Sequence, residues 1–448
     1  MTTETKFKQT EIGMIPEDWE VKNSEEVMEI ITDYVANGSF ASLKKNVKYD
    51  YEQGYAVLIR LVDYNNGFKN NFVYISKESY DFLKKSKLFP GDIIISNVGA
   101  YAGTVFRAPI LNKPMSLGPN AIMMRSLYST DFYYYWFVSI YGNESIKSII
   151  TGSAQPKFNK TDFRKLDVPV PLLNEQSAIA KILSDLDSKI ELLQKQNETL
   201  EKIGQAIFKQ WFVDFEFPNE EGKPYKSSGG KMVDSELGEI PEGWSVGKLG
   251  GFIEVQKGLS YKGKFLSQDE KDIPLINLGT IAPHKGYRKE GIKYYTGEHK
   301  ERHLVKPGDI VIANTDITQK RDVLGSPAIV PDFGSEEIIF THHIYAVRNE
   351  KFPELFLYYL FQNDSYKERA ITFATGTTVL ALPKEAILDY EFVVPQEEIF
   401  NMFGKFAKDI FKRIILNTKS IKSLEKTRNL LLPKLMTGKI RVPLEVEE

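Results

Sequence analysis

Two motifs contain residue types that bind phosphate or zinc in other proteins, but neither is complete. Residues 258–264 have the Gly-x-x-x-x-Gly-Lys spacing of a phosphate-binding loop, yet Phe265 follows where a magnesium-binding Ser or Thr is required. His299 and His303 are four residues apart, like two zinc ligands on one helix, but Lys300 stands in the position of the general-base Glu. Both segments therefore indicate surface turns with solvated side chains.

Other signatures of catalysis are also missing from the sequence. The chain has no Cys, which excludes disulfides, cysteine zinc sites and thiol nucleophiles. It has no Gly-x-Ser-x-Gly elbow, and no Asn-Pro-Pro-aromatic or Asp-Pro-Pro-aromatic segment that would suit adenine methyl transfer. His342 and His343 are adjacent, so on a strand they would point to opposite sides, which predicts no metal pair. We expect a chain without a catalytic centre, a metal or a bound cofactor.

Length and charge limit the possible architectures and partners. With 448 residues, the chain is too long for one hydrophobic core, so two or more domains are expected. Its formal net charge of −2 excludes a strongly basic protein that coats DNA without specificity, although basic loops can still lie on one face. The polar N-terminal segment and the lack of any apolar run of about 18 residues predict a cytoplasmic protein with no membrane partner.

The sequence consists of two diverged copies of one unit. Several segments recur in the same order, with an offset of 225 at the start (236 − 11), 217 in the middle (306 − 89) and 224 at the end (424 − 200). Such an ordered series at nearly constant offset indicates a duplication. The matched segments are 11–19 with 236–244, 89–97 with 306–314, 151–152 with 375–376, 168–171 with 392–395, and 200–202 with 424–426.

Each copy begins with a region of mixed secondary structure. Runs of β-branched and apolar residues bounded by turn residues predict strands, and short helical stretches lie between them. This composition predicts an α+β fold with two mixed α/β globules, over residues 1–168 and 236–392. The predicted strands are 55–62, 92–96, 273–278 and 309–313, and the predicted helices include 131–141 and 353–362.

Each globule is followed by a long helix. Apolar residues at three-four spacing predict long helices over 169–216 and 393–437. A stretch rich in Pro, Gly and Ser over 217–235 predicts a flexible linker, and 438–448 form a tail. The apolar positions are Leu183, Leu186, Ile190, Leu193, Leu200 and Ile207 in the first helix, and Ile410, Ile414, Ile421, Leu424 and Leu431 in the second.

One asparagine interrupts the apolar seam of each helix. If the helices pair antiparallel so that facing residue numbers sum to 614, Asn197 meets Asn417 and Ile190 meets Leu424. A buried Asn pair fixes the register of a coiled coil at some cost in stability. We therefore predict an antiparallel coiled coil whose register is set by these two residues. The alternative is that each Asn lies on a solvated edge of its own seam.

The ordered set of motifs resembles the specificity subunits of type I restriction-modification enzymes. Each motif is weak alone, but the set covers nearly the whole chain. The motifs are Ile-Pro-x-x-Trp at 15–19, Pro-Gly-Asp at 90–92, the Thr-Gly segment at 151–158, and Val-Pro-x-Pro leading into a Glu-Gln-containing helix at 168–176, with loops at 96–107 and 313–327 after the Pro-Gly-Asp strands.

This resemblance implies that each globule is a target recognition domain that reads one half of an asymmetric, interrupted site on double-stranded DNA. The helices would set the spacer length and dock two methyltransferase subunits, which would bind S-adenosylmethionine and methylate adenine N6. Two motor-nuclease subunits would use ATP and Mg²⁺ to cut unmodified DNA. The cofactors and activities would thus belong to the partners.

Arg, Lys, Asn and Gln read base edges best, and loops rich in them follow the repeated strands. An Asn at a strand end also often serves its own turn, and a lysine cluster is usually a solvated face. The candidates for base contacts are Arg60, Asn97, Tyr101, Arg107, Asn277, Asn314, Gln319, Lys320 and Arg321. The candidates for phosphate contacts are Lys44, Lys45, Lys48, Lys262, Lys264 and Arg288.

Two other functions remain open at this point. The chain could be an adaptor whose duplicated globules and coil bind proteins, in which case it would show no sequence-selective DNA binding. It could also be a piece of a self-contained restriction enzyme, but such an enzyme carries its methylation motifs in the same chain.

Overall fold

The computed structural model describes residues 5–69, 71–283, 286–318 and 321–442. The described residues form two compact units, one built from 5–193 and 419–442 and the other from 194–418. Each unit contains one globule and part of both long helices. The predicted α+β class, with two related globules, is confirmed.

The globule of the first unit is built from short strands and short helices. Its helices are α1 (Ser24–Val27), α2 (Phe40–Asn46), α3 (Leu61–Asn65), α4 (Lys77–Phe82), α5 (Thr130–Val138), α6 (Ile140–Ser148) and α7 (Lys160–Arg164). Its strands are β1 (Phe7–Thr10), β2 (Gly13–Pro16), β3 (Glu20–Asn23), β4 (Met28–Asp33), β5 (Tyr49–Asp50), β6 (Ala56–Ile59), β7 (Val73–Ile75), β8 (Lys87–Leu88), β9 (Ile93–Ser96), β10 (Val105–Arg107), β11 (Met115–Leu117), β12 (Ala121–Ser126) and β13 (Asp167–Val170).

Strand β9 lies between two cores of this globule. It belongs to the antiparallel sheet β10-β9-β12-β4, and its three isoleucines are fully buried. Side chains alternate across a strand, so Ile93 and Ile95 pack in the core that contains α5, while Ile94 packs in the core shared with the second sheet, β5-β7-β6-β11-β8. The strand β9, which follows Pro-Gly-Asp, is thus buried on both faces and fixes the position of the loop after it.

The second unit repeats this arrangement. Its strands are β14 (Met232–Ser235), β15 (Gly238–Pro241), β16 (Ser245–Lys248), β17 (Ile253–Lys257), β18 (Leu266–Ser267), β19 (Ile273–Ile276), β20 (Ile281–Ala282), β21 (Gly286–Tyr287), β22 (Lys293–Tyr295), β23 (Ile310–Ala313), β24 (Thr315–Asp316), β25 (Pro327–Ile329), β26 (Ile339–Phe340), β27 (Ile344–Asn349), β28 (Leu380–Ala381) and β29 (Glu391–Val394). The sheet β25-β23-β27-β17 has the same order as the sheet around β9. Ile310 and Ile312 face one core and Val311 faces another.

The two long helices are α8 (Leu173–Phe212) and α12 (Glu397–Met436), and the short helices α9 (Glu354–Leu360), α10 (Asp364–Thr372) and α11 (Lys384–Leu388) lie between them in the chain. Each long helix has 40 residues, about 60 Å. The predicted helices 169–216 and 393–437 begin earlier than the observed ones because Pro169 lies in β13, which pairs with β3, and β29 pairs with β16.

In the second unit, α8 and α12 pair antiparallel. The Nδ2 of Asn417 donates a hydrogen bond of 2.9 Å to the Oδ1 of Asn197. Further along, the ring of Phe208 packs against Phe403, with centroids 5.5 Å apart, so partner numbers fall on α12 as they rise on α8. Asn417 is only 3% exposed, so its side-chain amide is shielded from water. The hydrogen bond to Asn197 satisfies this buried amide instead.

The same antiparallel direction holds in the first unit. Asp187 of α8 accepts a hydrogen bond of 2.6 Å from the guanidinium of Arg428 of α12. Leu183 lies in the same core as Leu431 and Leu435. The C-terminal part of α12 therefore completes the core of the unit that contains the N-terminus.

In each unit, a different acidic residue of α8 accepts a hydrogen bond from the globule. In the first unit, the hydroxyl of Tyr135 on α5 donates to Asp187 at 2.7 Å. In the second unit, Glu201 accepts a hydrogen bond of 3.0 Å from Gln362, just beyond α9. Burial raises the pKa of Glu201 above its usual value, although hydrogen bonds from Gln362 and Tyr358 oppose this shift.

A group of hydrogen bonds in the first unit joins residues from the N-terminal and C-terminal parts of the chain. The Nε1 of Trp19 donates to Glu175 at 3.0 Å, and the Nε of Arg441 donates to the same carboxylate at 2.8 Å. Arg441 also pairs with Asp18 at 2.7 Å, and its hydrogen bond lowers the pKa of that carboxyl. Part of the predicted tail therefore packs on the first globule.

The segment predicted as a flexible linker, 217–235, contains an anchored aromatic residue. Phe217 is buried, and its ring stacks on Tyr225 and Trp244 with centroids 4.6 and 4.8 Å apart. Residues 232–235 form β14. Composition alone misses this anchoring because one buried ring does not change the Pro- and Gly-rich character of the stretch.

We predict that the Asn pair sets the register of the coil at a cost in stability. Asn417→Leu or Asn197→Leu alone leaves one amide without its partner and should cost about 1 kcal/mol. The double Leu variant should be more stable than the natural protein, with a coupling of about 1–3 kcal/mol in a double-mutant cycle. Urea unfolding followed by circular dichroism measures all four proteins.

A double Ser188→Leu, Ser423→Leu variant is the control for this cycle, because both serines are exposed positions of the same helices. It should gain nothing. Strictly additive effects at Asn197 and Asn417 would contradict the register role.

Candidate nucleic-acid interface

In the first unit, the loop after β9 and the Thr-Gly loop are joined by hydrogen bonds. The Nδ2 of Asn97 donates to the carbonyl of Phe158 at 3.2 Å, and the backbone N–H of Phe158 donates back to Asn97 at 3.1 Å. The N–H of Gly99 donates to the carbonyl of Pro156 at 2.8 Å. Two segments that are far apart in sequence therefore form one surface, which we call loop surface 1 (97–104 and 151–158).

The Thr-Gly pair explains the shape of the second segment. Thr151 and Lys157 exchange two backbone hydrogen bonds of 2.9 Å, which close a short loop. Gly152 has a φ of +88°, and a Cβ there would lie 2.9 Å from the carbonyl oxygen of Gln155. Glycine is required by this turn. The loop exposes Gln155 and Lys157, two polar side chains of the types that contact DNA.

The second unit builds an equivalent surface. The Nδ2 of Asn314 donates to the carbonyl of His342 at 3.1 Å, and the N–H of Leu382 donates to Asn314 at 2.8 Å. Strand β24 after Asn314 pairs with β28, and Thr375 bridges to Ala381 as Thr151 does to Lys157. We call the described part of this region loop surface 2 (314–318, 321–325 and 375–382).

All six predicted phosphate-binding residues are exposed. Arg288 is exposed although its Nε donates to the carbonyl of Gly279 at 2.9 Å. Lys48 lies beside a polar surface cleft with Tyr49 and Lys113. Their DNA contacts remain predictions. The exposed residues of this group are Lys44, Lys45, Lys48, Lys262, Lys264 and Arg288.

The predicted base readers divide into two groups. Tyr101 is exposed on loop surface 1. Arg321 is exposed on loop surface 2, with a φ of +58° and a hydrogen bond of 3.3 Å from its guanidinium to the carbonyl of Ile371. Gln319 and Lys320 lie outside the described residues.

The remaining predicted base readers are occupied within the fold. Asn97 and Asn314 hold the loops, as described above. Asn277 is buried and bonds to Gly291 at 2.8 Å, so it organises a turn. Their base contacts stay predictions, while their contacts inside the chain are established by the geometry.

Arg60 and Arg107 both bind acidic residues of their own globule. The guanidinium of Arg60 donates two hydrogen bonds, of 2.7 and 3.0 Å, to Asp63, whose side chain is 1% exposed. Arg107 pairs with Asp131 at 2.6 Å and lies 4.0 Å from the ring centre of Tyr134 on α5. These contacts stabilise the globule irrespective of any DNA contact.

The sequence gives no indication of a polar cleft in the second unit. Its lining includes the basic residues Lys257 and Arg302, the acidic Glu254, and His342. The alternation expected for His342 and His343 on a strand does not apply, and their ring centroids are 3.9 Å apart. The two residues precede β27 and do not belong to a strand. No sequence spacing could reveal this cleft, since folding brings its residues together.

Within the described ranges, no group of three or more His, Asp or Glu side chains is arranged to hold a metal ion. Among those same residues, no helix is both long and apolar enough to cross a membrane.

A family model described as "Type I restriction modification DNA specificity domain" matches residues 16–202 and 241–426. The chain belongs to this family. The matched ranges include both loop surfaces and most of both long helices, so the resemblance inferred from the sequence motifs is confirmed. The duplication seen in the sequence is also the duplication of the family domain.

Individual relatives agree with this assignment. The MjaIX specificity subunit of a type I restriction enzyme from Methanocaldococcus jannaschii is 28% identical over 98% of this chain and 97% of its own length. The HindI specificity subunit from Haemophilus influenzae is 22% identical, covering 90% of this chain and 98% of its own. A crystal structure of a type I S subunit from M. genitalium shares the fold, with a TM-score of 0.54 at 17% identity over 97% of this chain and 99% of that one.

We predict that Arg60 stabilises the first globule. Arg60→Ala leaves the buried carboxylate of Asp63 without its guanidinium and should lower the free energy of unfolding by about 2–4 kcal/mol. Arg288→Ala is the matched control, because Arg288 is exposed and its replacement should change stability by about 0.5 kcal/mol or less. Urea unfolding of the three proteins provides the comparison, and equal stability of the two variants would disprove the structural role of Arg60.

Proposed function

We propose that this chain is the DNA-binding specificity subunit of a type I restriction-modification system and that each globule reads one half of an asymmetric, interrupted DNA site. The observation that carries this proposal is the presence of two matched loop surfaces, one in each copy of the family domain. Two readers on one chain suit a target with two separated halves.

The two surfaces have the same frame and different exposed side chains. In each, a strand-end Asn and a Thr-Gly turn hold the loops. Loop surface 1 exposes Tyr101, Gln155 and Lys157, whereas loop surface 2 exposes Arg321 and the apolar Val379. Base edges are distinguished by the donors, acceptors and apolar groups that face them. The two globules should therefore read different base sequences.

The chain acts without a catalytic centre of its own in this proposal. Its partners are two methyltransferase subunits, which bind S-adenosylmethionine and methylate adenine, and two motor-nuclease subunits, which use ATP and Mg²⁺. The long helices dock the methyltransferases, and exposed apolar residues of α8 such as Leu192 and Ile203 offer area for such contacts. The complex works on DNA in the cytoplasm.

We expect co-expression of this chain with its adenine methyltransferase partner to place methyl groups at one bipartite, asymmetric motif of the host DNA. The motif should disappear when this chain is left out, because the methyltransferase would lack its reader. Sequencing that detects methylated adenine maps the sites in both strains. Methylation that is unchanged without this chain would overturn the proposal and favour a protein-binding adaptor.

A further inference from the structure

Helix α12 carries one lysine pattern twice. Lys405, Lys408 and Lys412 have the spacing Lys-x-x-Lys-x-x-x-Lys, and Lys419, Lys422 and Lys426 repeat it 14 residues later (419 − 405). We call them the first triplet, which lies in the second unit, and the second triplet, which lies in the first unit. Spacings of three and four place the members of each triplet on one face of the helix.

This face is opposite to the coiled-coil seam. At about 100° per residue, the first triplet spans about 60° of the helix circumference and lies roughly 170° from the line through the buried Phe403, Ala407 and Ile410. All six lysines are exposed. They therefore contribute nothing to the pairing of α8 with α12.

The charge of α12 is unusual for this chain. The helix contains nine Lys and Arg and four Asp and Glu, a net charge of +5 (9 − 4), while α8 has five and six, a net charge of −1 (5 − 6). The whole chain has a net charge of −2, so the rest of it, without α12, carries −7 (−2 − 5). Positive charge is thus concentrated on one helix.

The six lysines also differ from Lys181 and Lys209 of α8 in their surroundings. On α8, Lys181 pairs with Asp185 at 2.7 Å and Lys209 pairs with Asp214 at 2.8 Å. In the part of the chain that the structure describes, none of the six α12 lysines forms an ion pair. Asp409 and Glu425 are the acidic residues closest to them in sequence.

We propose that each lysine triplet of α12 binds backbone phosphates of the DNA between the two half-sites. This inference rests on the proposed function and adds to it a sequence-independent contact surface outside the globules. Three ammonium groups spread over about 10 Å of helix complement a duplex, which carries about one phosphate charge per 1.7 Å of its axis.

The residue type favours DNA over a protein as the occupant. Lysine is depleted from the cores of protein interfaces, whereas it binds phosphates as a point charge without reading sequence. Ile415 and Leu416, each about half exposed, lie between the triplets and are the part of this face that a protein would prefer. The test must therefore distinguish DNA binding by the lysines from docking of a methyltransferase on them.

The test compares the full chain with two triple variants, K405Q/K408Q/K412Q and K419Q/K422Q/K426Q. Gln keeps helix propensity and removes charge. Binding to a mixed-sequence DNA duplex is measured by fluorescence anisotropy over a range of salt concentrations. Each variant should flatten the plot of log affinity against log salt by about 3, because each lost phosphate contact contributes about 0.9 to the slope.

The matched control is K181Q/K189Q/K202Q, which removes the same charge from exposed positions of α8 and should leave the slope unchanged. Circular dichroism and gel filtration with the methyltransferase report folding and assembly of every variant. Slopes equal to the control would overturn the inference. Loss of methyltransferase binding at an unchanged slope would overturn it too and assign the lysines to a protein interface.

Failure of the inference is distinguishable from failure of the proposed function. The natural protein is also tested on a duplex that contains the sequence motif found in the methylation mapping. If it prefers that duplex while the triplet variants behave like the control, the specificity role stands and only the helix contact is wrong. If it shows no preference, the specificity role itself fails.

Discussion

Antiparallel pairing of α8 with α12 is the constraint on which the rest of the structure depends. Because the two helices run in opposite directions, the C-terminal part of α12 packs with the start of α8 in the first unit. Leu435 and Met436 then complete a core that is otherwise made by the N-terminal globule and the start of α8. The hydrogen bond between Asn197 and Asn417 allows one register, since a shift by one turn would leave the buried amide of Asn417 unpaired.

In the globules, some polar side chains support the fold and other polar side chains are exposed at the surface. Asn97 and Asn314 are turned inward to hold backbone carbonyls, and Arg60 neutralises the buried Asp63. The side chains that are free to meet another molecule lie further along the same loops, such as Tyr101 and Lys157. Under the proposed function, a shared frame with different exposed loop residues would let two copies of one fold read two different sequences.

The sequence predicts the long helices, the strands and the duplication better than it predicts the side chains of the candidate interface. The periodicity of α8 and α12 and the repeated Pro-Gly-Asp strands are local patterns, so helix pairing, duplication and strand positions follow from them. The direction of a polar side chain depends on residues far away in sequence: Asn97 bonds to Phe158, and Lys257 and Arg302 line the same cleft. For this reason, spacing alone does not show that Asn97, Asn277 and Asn314 bond to backbone groups of their own globules, or that Phe217 is packed.

Independent reading by the two globules is the central claim of this account. The most direct measurement replaces residues 236–392 with the corresponding globule of a related specificity subunit and maps methylated adenines in cells that also express the methyltransferase. One half of the bipartite motif should change and the other half should stay the same, because the first globule and the long helices are left intact. A change in both halves, or in neither, would contradict it.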